Sequence, residues 1–420
     1  MLTINHLSAQ EILDSRARPT LAVTVSLTDG ITARAGVPSG ASTGSREAVE
    51  LRDGEQGRFS GAGVLRAVQH VNGEIADAVC GRGFAGLSAL DEALVGLDGT
   101  ENKARLGANA IVGVSMAAAR ALAMSAGEPL WQFLTPAGMS PRLPWPSFNV
   151  INGGVHAPND LDFQEFMITP LGAPSMAEAV RAGAEVYAAL RRRLADAGHA
   201  TGLGDEGGFA PQLSRPEEVL SLLVAAIGDA GYAAGRDGVA IALDPASSEF
   251  YRDDRYHVAG EALTTDDMIG RYAEILDRFP VWSLEDGLAE GDWDGWVRLE
   301  STLGERVQIV GDDILVTNPA IIRRAITDDI ANAALIKVNQ IGTVTETLEA
   351  MRLCREAGWS AMISHRSGET EDTFIADLAV GSGCGQIKSG APARGERVAK
   401  YNRLIEIAAA DHALAYGGDV

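Results

Sequence analysis

The run Ala334-Leu335-Ile336-Lys337-Val338-Asn339-Gln340 sets one lysine in a stretch otherwise apolar enough for a buried strand. Burying an ammonium group is costly, so a lysine there must be paired, lowered in pKa, or both, which makes Lys337 a candidate base. Three upstream apolar runs end in acid: Ile241-Ala242-Leu243-Asp244, Trp282-Ser283-Leu284-Glu285 and Ile309-Val310-Gly311-Asp312. Carboxylates on successive strand ends offer hard oxygen ligands and suit Mg²⁺ better than zinc. Downstream, one apolar run leads into His365-Arg366-Ser367 and another into Lys388. Arg366, Ser367 and Lys388 form a set able to hold phosphate and carboxylate. Glu165, in Gln164-Glu165-Phe166, and Glu206, in Gly204-Asp205-Glu206-Gly207-Gly208, add two acids that, if paired, can share a proton. A base, an acid, a metal and an anion clamp together fit proton abstraction beside a carboxylate followed by loss of a β-hydroxyl. Singly, each residue has an ordinary reading: a strand-terminal side chain in water, or a capping Glu. Asp286, Asp313, Asp266 and Asp267 are read that way, as caps or solvated charge.

Positions 244, 285, 312, 337, 365 and 388 are separated by 41, 27, 25, 28 and 23 residues. A (β/α)8 barrel of about 250 residues gives each strand-helix unit roughly 31, so each step fits one unit and all six side chains meet at one mouth. Two apolar segments, 147–151 and 162–168, are joined by only Asn152 to Asp160, too short for a crossover helix. The barrel therefore opens with an antiparallel pair.

Ahead of it, residues 20–37 alternate as a hairpin turning at Asp29-Gly30. Val37-Pro38-Ser39-Gly40-Ala41-Ser42-Thr43-Gly44 is rich in small residues and reads as a mobile loop, without the Gly-Lys-Ser/Thr of a P-loop. Segments 60–79, 88–97 and 107–126 read as helices, the last rich in Ala and Gly for close packing. Pro136, Pro141, Pro144 and Pro146 mark a boundary between an α+β domain, 1–134, and a barrel domain, 141–420.

Lys and Arg number 35 against 57 Asp and Glu, a net charge of −22, with a pI near 4.7. That balance argues against nucleic acid or an anionic membrane as partner and favours divalent cations. Three separated cysteines indicate neither a disulfide framework nor a zinc site. No signal-peptide pattern or run of about 18 apolar residues is evident, and a soluble cytoplasmic protein is expected.

Ser-Gly-Ala-Ser-Thr-Gly, Gly-Asp-Glu-Gly-Gly-Phe-Ala-Pro, Lys-Val-Asn-Gln-Ile-Gly, Ser-His-Arg-Ser-Gly-Glu-Thr-Glu-Asp and Gly-Ala-Pro-Ala-Arg occur in fixed order, and together they resemble the enolase family over essentially the whole chain. The resemblance implies an α+β domain before a barrel that begins with two antiparallel strands, and interconversion of 2-phosphoglycerate and phosphoenolpyruvate. It makes Lys337 the base at C2 and Glu206, supported by Glu165, the acid toward the C3 hydroxyl. Asp244, Glu285 and Asp312 would bind a first Mg²⁺, and Ser39 would help hold a second that arrives with substrate. Arg366 and Ser367 would contact phosphate and Lys388 carboxylate, with His156 and His365 lining the pocket. The metals and Lys388 would also keep Lys337 short of its ordinary pKa.

Four positions depart from the family pattern. Ala17 and Arg18 stand where Gly and Asn are usual, and Ala22 and Glu406 replace a Glu and an Arg that ordinarily pair across a dimer interface. A homodimer or higher oligomer is still expected, with Arg16 or Arg18 as the new partner of Glu406. The alternative activity is an enolase-like dehydratase forming carboxyphosphonoenolpyruvate. A non-catalytic binding protein of the same fold would not need the base, acid and metal set.

Overall fold

The computed structural model describes residues 2–41 and 43–418. The first part is an antiparallel sheet in the order β3-β2-β1-β4, from β1 (Leu2–Leu13), β2 (Pro19–Leu27), β3 (Thr32–Gly36) and β4 (Gly83–Phe84). The β2–β3 hairpin forms as expected. The 12-residue β1 is absent from the sequence reading because a register shift between Ile4 and His6 breaks its alternation. Helix Ala108–Ala126 lies across β2 and β3, and a Cβ on its Gly113 would stand 2.5 Å from Val23 Cγ2, so the small residues do permit close approach. By length and composition this helix could cross a membrane, but 78% of it is buried in the fold and it serves as a core helix.

After β5 (Arg142–Leu143) come β6 (Trp145–Asn152), β7 (Glu165–Thr169) and β8 (Ala240–Asp244). A small antiparallel sheet of β9 (Tyr251–Arg252), β10 (Arg255–Val258) and β11 (Glu261–Leu263) is inserted before β12 (Val281–Glu285), which accounts for the long first step of 41. Then follow β13 (Gln308–Gly311), β14 (Ala333–Ile336), β15 (Ser360–Ser364), β16 (Gln386–Lys388) and, paired with β5, β17 (Ala415–Tyr416). Strands β6, β7, β8 and β12 to β16 close into an eight-stranded barrel. Only β7 is reversed, antiparallel to both β6 and β8, and the other pairings are parallel. The fold is thus α/β, an enolase-type barrel preceded by a smaller α+β unit.

Strand side chains alternate in facing, and one set fills the barrel with Trp145, Met167, Ala240, Ala242, Trp282, Val310, Ala333, Leu335 and Met362. Continuing the same parity past the strand ends brings Asp244, Asp312 and Lys337 into the barrel mouth. On β12 the register shifts between Val281 and Ser283, which changes the parity after Trp282 and turns Glu285 inward.

Candidate active site

One cavity at the carboxyl ends of the strands is lined by His156, Glu165, Glu206, Asp244, Asp312, Lys337, His365, Arg366, Ser367 and Lys388. Glu285 joins them through Lys388. The six side chains read from the strand rhythm therefore do meet, and all are buried.

Lys337 Nζ contacts Asp312 Oδ2. The other Asp312 oxygen accepts from Gln340 Nε2 (2.8 Å), Gln340 Oε1 accepts from Thr317 Oγ1 (2.6 Å), and that hydroxyl accepts the Lys337 backbone N–H (2.9 Å). Burial pulls the Lys337 ammonium down, but the surrounding carboxylates, Asp312 foremost and Glu285 with it, together hold the pKa above the ordinary lysine value. Of the expected alternatives for a buried lysine, paired, lowered in pKa, or both, the pairing is the one observed.

Lys388 reaches across the barrel to Glu285 (2.6 Å), and also contacts Glu165 (3.2 Å) and Asp244 (3.6 Å). Arg366 pairs with both carboxylate oxygens of Glu47 (3.0 and 3.1 Å) and donates to Asn339 Oδ1 (2.9 Å). Lys388 and Arg366 are thus each held by acids of the protein itself rather than standing together as an open anion clamp. Ser367 Oγ meets His156 Nε2 at 3.1 Å.

Glu165 and Glu206 offer oxygens within 4.8 Å of each other and of a His156 ring nitrogen. Burial and the Glu206 charge push Glu165 well above the ordinary carboxyl range. Burial pushes Glu206 the same way, but the imidazoles of His365 and His156, acting on it as polar N–H groups, and the Arg397 charge together take it well below. The pair therefore splits with the proton on Glu165. Burial keeps His365 neutral, its pKa lowered to about 4.

Asp286 and Asp313, read from sequence as caps or solvated charge, are 4% and 7% exposed. Asp286 does cap: it accepts the backbone N–H of Asp312 (2.8 Å) and of Asp313 (3.0 Å). Oxygens of Asp286, Asp312 and Asp313 lie within 4.8 Å of one another. Ala246, Asp286, Val316 and Thr317, in the turns just past Asp244, Glu285 and Asp312, all have left-handed φ between 42° and 51° or, for Thr317, 54°. Each costs about 1–3 kcal/mol, and their gathering around the acids places backbone strain at the site.

These acids fit a divalent cation. Asp244, Glu285, Asp286, Asp312 and Asp313 are five buried carboxyls beside two ammonium groups, and Glu285 Oε2 is buried with no hydrogen-bond partner. Burial, with the charge of a neighbouring Asp next, raises Glu285, as burial and Asp313 raise Asp286. A hard cation would remove that penalty.

Ser39 is wholly buried, and its backbone exchanges two hydrogen bonds with Gly368 (2.7 and 2.8 Å). Its hydroxyl meets Glu50 (3.2 Å) and Arg52 (2.8 Å). The loop read as mobile is thus pinned at Ser39, while Ser42 lies outside the described residues. Arg16 donates to Ser39 O (3.1 Å) and Gly40 O (3.2 Å) and pairs with Asp14 at 3.2 Å, its side chain 6% exposed. Its guanidinium is thus already engaged within its own subunit. Sequence reasoning also gave no role to Glu47, Asn149 and Arg397, polar residues in unremarkable local contexts that only the fold brings to the site, or to Gln340, which stands in the Lys337 motif itself.

Residues 4–134 match the family described as "Enolase, N-terminal domain" and residues 140–419 that described as "Enolase, C-terminal TIM barrel domain". The chain is 56% identical over 409 residues to a protein named "Enolase" from Rubrobacter xylanophilus, covering 97% of this chain and 95% of that one. With both parts of the fold matched and the strand-end residues gathered in one cavity, the chain belongs to the enolase family of carbon–oxygen lyases.

Proposed function

We propose that the protein catalyses the Mg²⁺-dependent, reversible dehydration of 2-phosphoglycerate to phosphoenolpyruvate, the glycolytic reaction. The observation that carries this reading is the placement of Lys337, after β14, opposite Glu165 on β7, four places away in a ring of eight strands, with Glu206 beside Glu165. A base on one wall and a proton-sharing acid pair on the other suit removal of a proton from one face and of a hydroxide from the other.

In this reading Lys337 Nζ takes the C2 proton once Asp312 is engaged elsewhere and no longer favours the ammonium. Glu206 protonates the departing C3 hydroxyl, drawing on the proton that rests on Glu165. Arg366 and Ser367 turn to the phosphate, with Glu47 as the group displaced, and Lys388 turns to the carboxylate. Mg²⁺ held by Asp244, Glu285 and Asp312 would supply fixed positive charge for the carboxylate as negative charge builds on it. Ser39 would help hold a second Mg²⁺ with the phosphate, and His156 and His365 would line the pocket. The chain would act as two domains, 1–134 and 141–420, in a cytoplasmic homodimer.

Absorbance of the forming double bond tests the reading. Turnover of 2-phosphoglycerate should vanish on exhaustive chelation and return with Mg²⁺. Full activity without metal, or turnover only of a phosphonate analogue, would overturn it.

A further inference from the structure

Arg397 has no place in the reaction set out above, yet it lies wholly buried against it. It extends from helix Gly395–Ala410 and donates to the carbonyls of Arg366 (2.6 Å), Ser367 (2.5 Å) and Asp205 (3.2 Å). Its Nη1 also meets His365 Nδ1. A guanidinium can only donate, so Nδ1 must accept, and a neutral imidazole then carries its proton on Nε2. That Nε2 is buried, makes no aligned hydrogen bond within the described residues, and faces Glu206 Oε2 at 3.3 Å. The same Oε2 accepts from Asn149 Nδ2 at 2.9 Å.

We propose that Arg397 is a positioning residue for the acid: it fixes His365 as the Nε2–H tautomer, so that the protonated edge of the ring faces Glu206 Oε2 and Oε1 is left for the departing hydroxyl. The inference rests on the role given to Glu206. Without Arg397, the carbonyls of Arg366 and Ser367 would lose a donor and could accept from Nδ1–H instead. The tautomer would reverse, and the lone pair on Nε2 would then face the Glu206 carboxylate and turn it away. The grip on Asp205, next to Glu206 in the chain, adds a second constraint on the same carboxylate.

Nitrogen NMR of the wild-type protein labelled in histidine, with the His365 signals assigned by loss in His365→Gln, reads the tautomer directly. Protonated Nε2 and bare Nδ1 are expected, and the reverse would overturn the proposal without any arginine variant having to fold. In Arg397→Met, dehydration should fall on the order of 10²-fold, while exchange of the C2 proton, the task of Lys337, should stay near wild type. Arg397→Lys, which keeps the charge and one donor, should recover part of the loss. Exchange and dehydration falling together would overturn the positioning role. A wild type that neither exchanges nor dehydrates 2-phosphoglycerate would instead strike at the role of Glu206, and the NMR result would still decide whether Arg397 sets the tautomer.

Discussion

Lys337 and Glu206 are separate groups of the site, and the two halves of the proposed reaction should separate accordingly. Lys337→Ala is expected to abolish exchange of the substrate C2 proton with solvent. Glu206→Gln should leave exchange partly intact and block loss of the hydroxyl, because it removes the acid and leaves the base in place. Deuterium uptake at C2 followed beside double-bond formation distinguishes the two, and wild-type exchange in the lysine variant would place the base elsewhere. At this scale the types and strand-end positions of the candidates were legible, since a charged residue closing a buried run is conspicuous. Their electrostatic state was not. Whether Lys337 is raised or lowered depends on the distance to Asp312, a residue 25 positions away.

The loop holding Ser39 and the helix-packing contacts around Asp91 are where element geometry makes testable demands. A Cβ on Gly40 would lie 2.1 Å from Arg366 Nη2 and 2.8 Å from its Cζ. Gly40→Ala must therefore displace the guanidinium or lift the loop, and KM for the phosphorylated substrate should rise by about tenfold or more, with a normal fold by circular dichroism. An unchanged KM would mean that the loop leaves Arg366 in the working enzyme. Asp91, in helix Leu87–Asp98, is 2% exposed and accepts from Thr345 N (3.0 Å) and Thr345 Oγ1 (2.6 Å) at the start of helix Val344–Glu356. Burial raises its pKa to about 6. The native state then binds more protons than the unfolded chain between the ordinary Asp value and that pKa. Stability from this group is therefore greatest at low pH and falls as pH rises through about 6, by at most about 3 kcal/mol. Asp91→Asn should lose that fall, seen as a urea midpoint that gains on the wild type between about pH 5 and about pH 7.5.

Across the whole molecule, the α+β unit and the barrel meet around the cavity itself: Arg366 with Glu47, Ser39 with Gly368, and Arg120 with Asp372 at 2.6 Å. The proposed dimer must form without the usual Glu–Arg pair. Ala22 is buried, and Glu406, 67% exposed, meets Arg403 of its own helix at 3.5 Å. An exposed pair contributes only about 0–1 kcal/mol, so its loss is compatible with association. With Arg16 engaged by the Ser39 loop, we propose Arg18 as the partner for Glu406. Sedimentation should show a dimer at micromolar concentration that Glu406→Arg weakens. A monomeric wild type would refute the dimer, and a tighter variant would refute the arginine partner.

The sequence by itself determined the barrel, its antiparallel opening and the ring of strand-end residues, because period-two burial and the roughly constant length of a strand-helix unit are local properties written along the chain. It also carried the family resemblance, in motifs whose order is specific. Only the tertiary structure decided which charges neutralise which. Lys388 binds three acids drawn from β7, β8 and β12, Asp286 caps the turn of Asp312, and Arg397 reaches His365 from the last long helix. Those contacts join residues far apart in the chain, and Coulomb energy depends on their distance and burial rather than on their spacing in sequence.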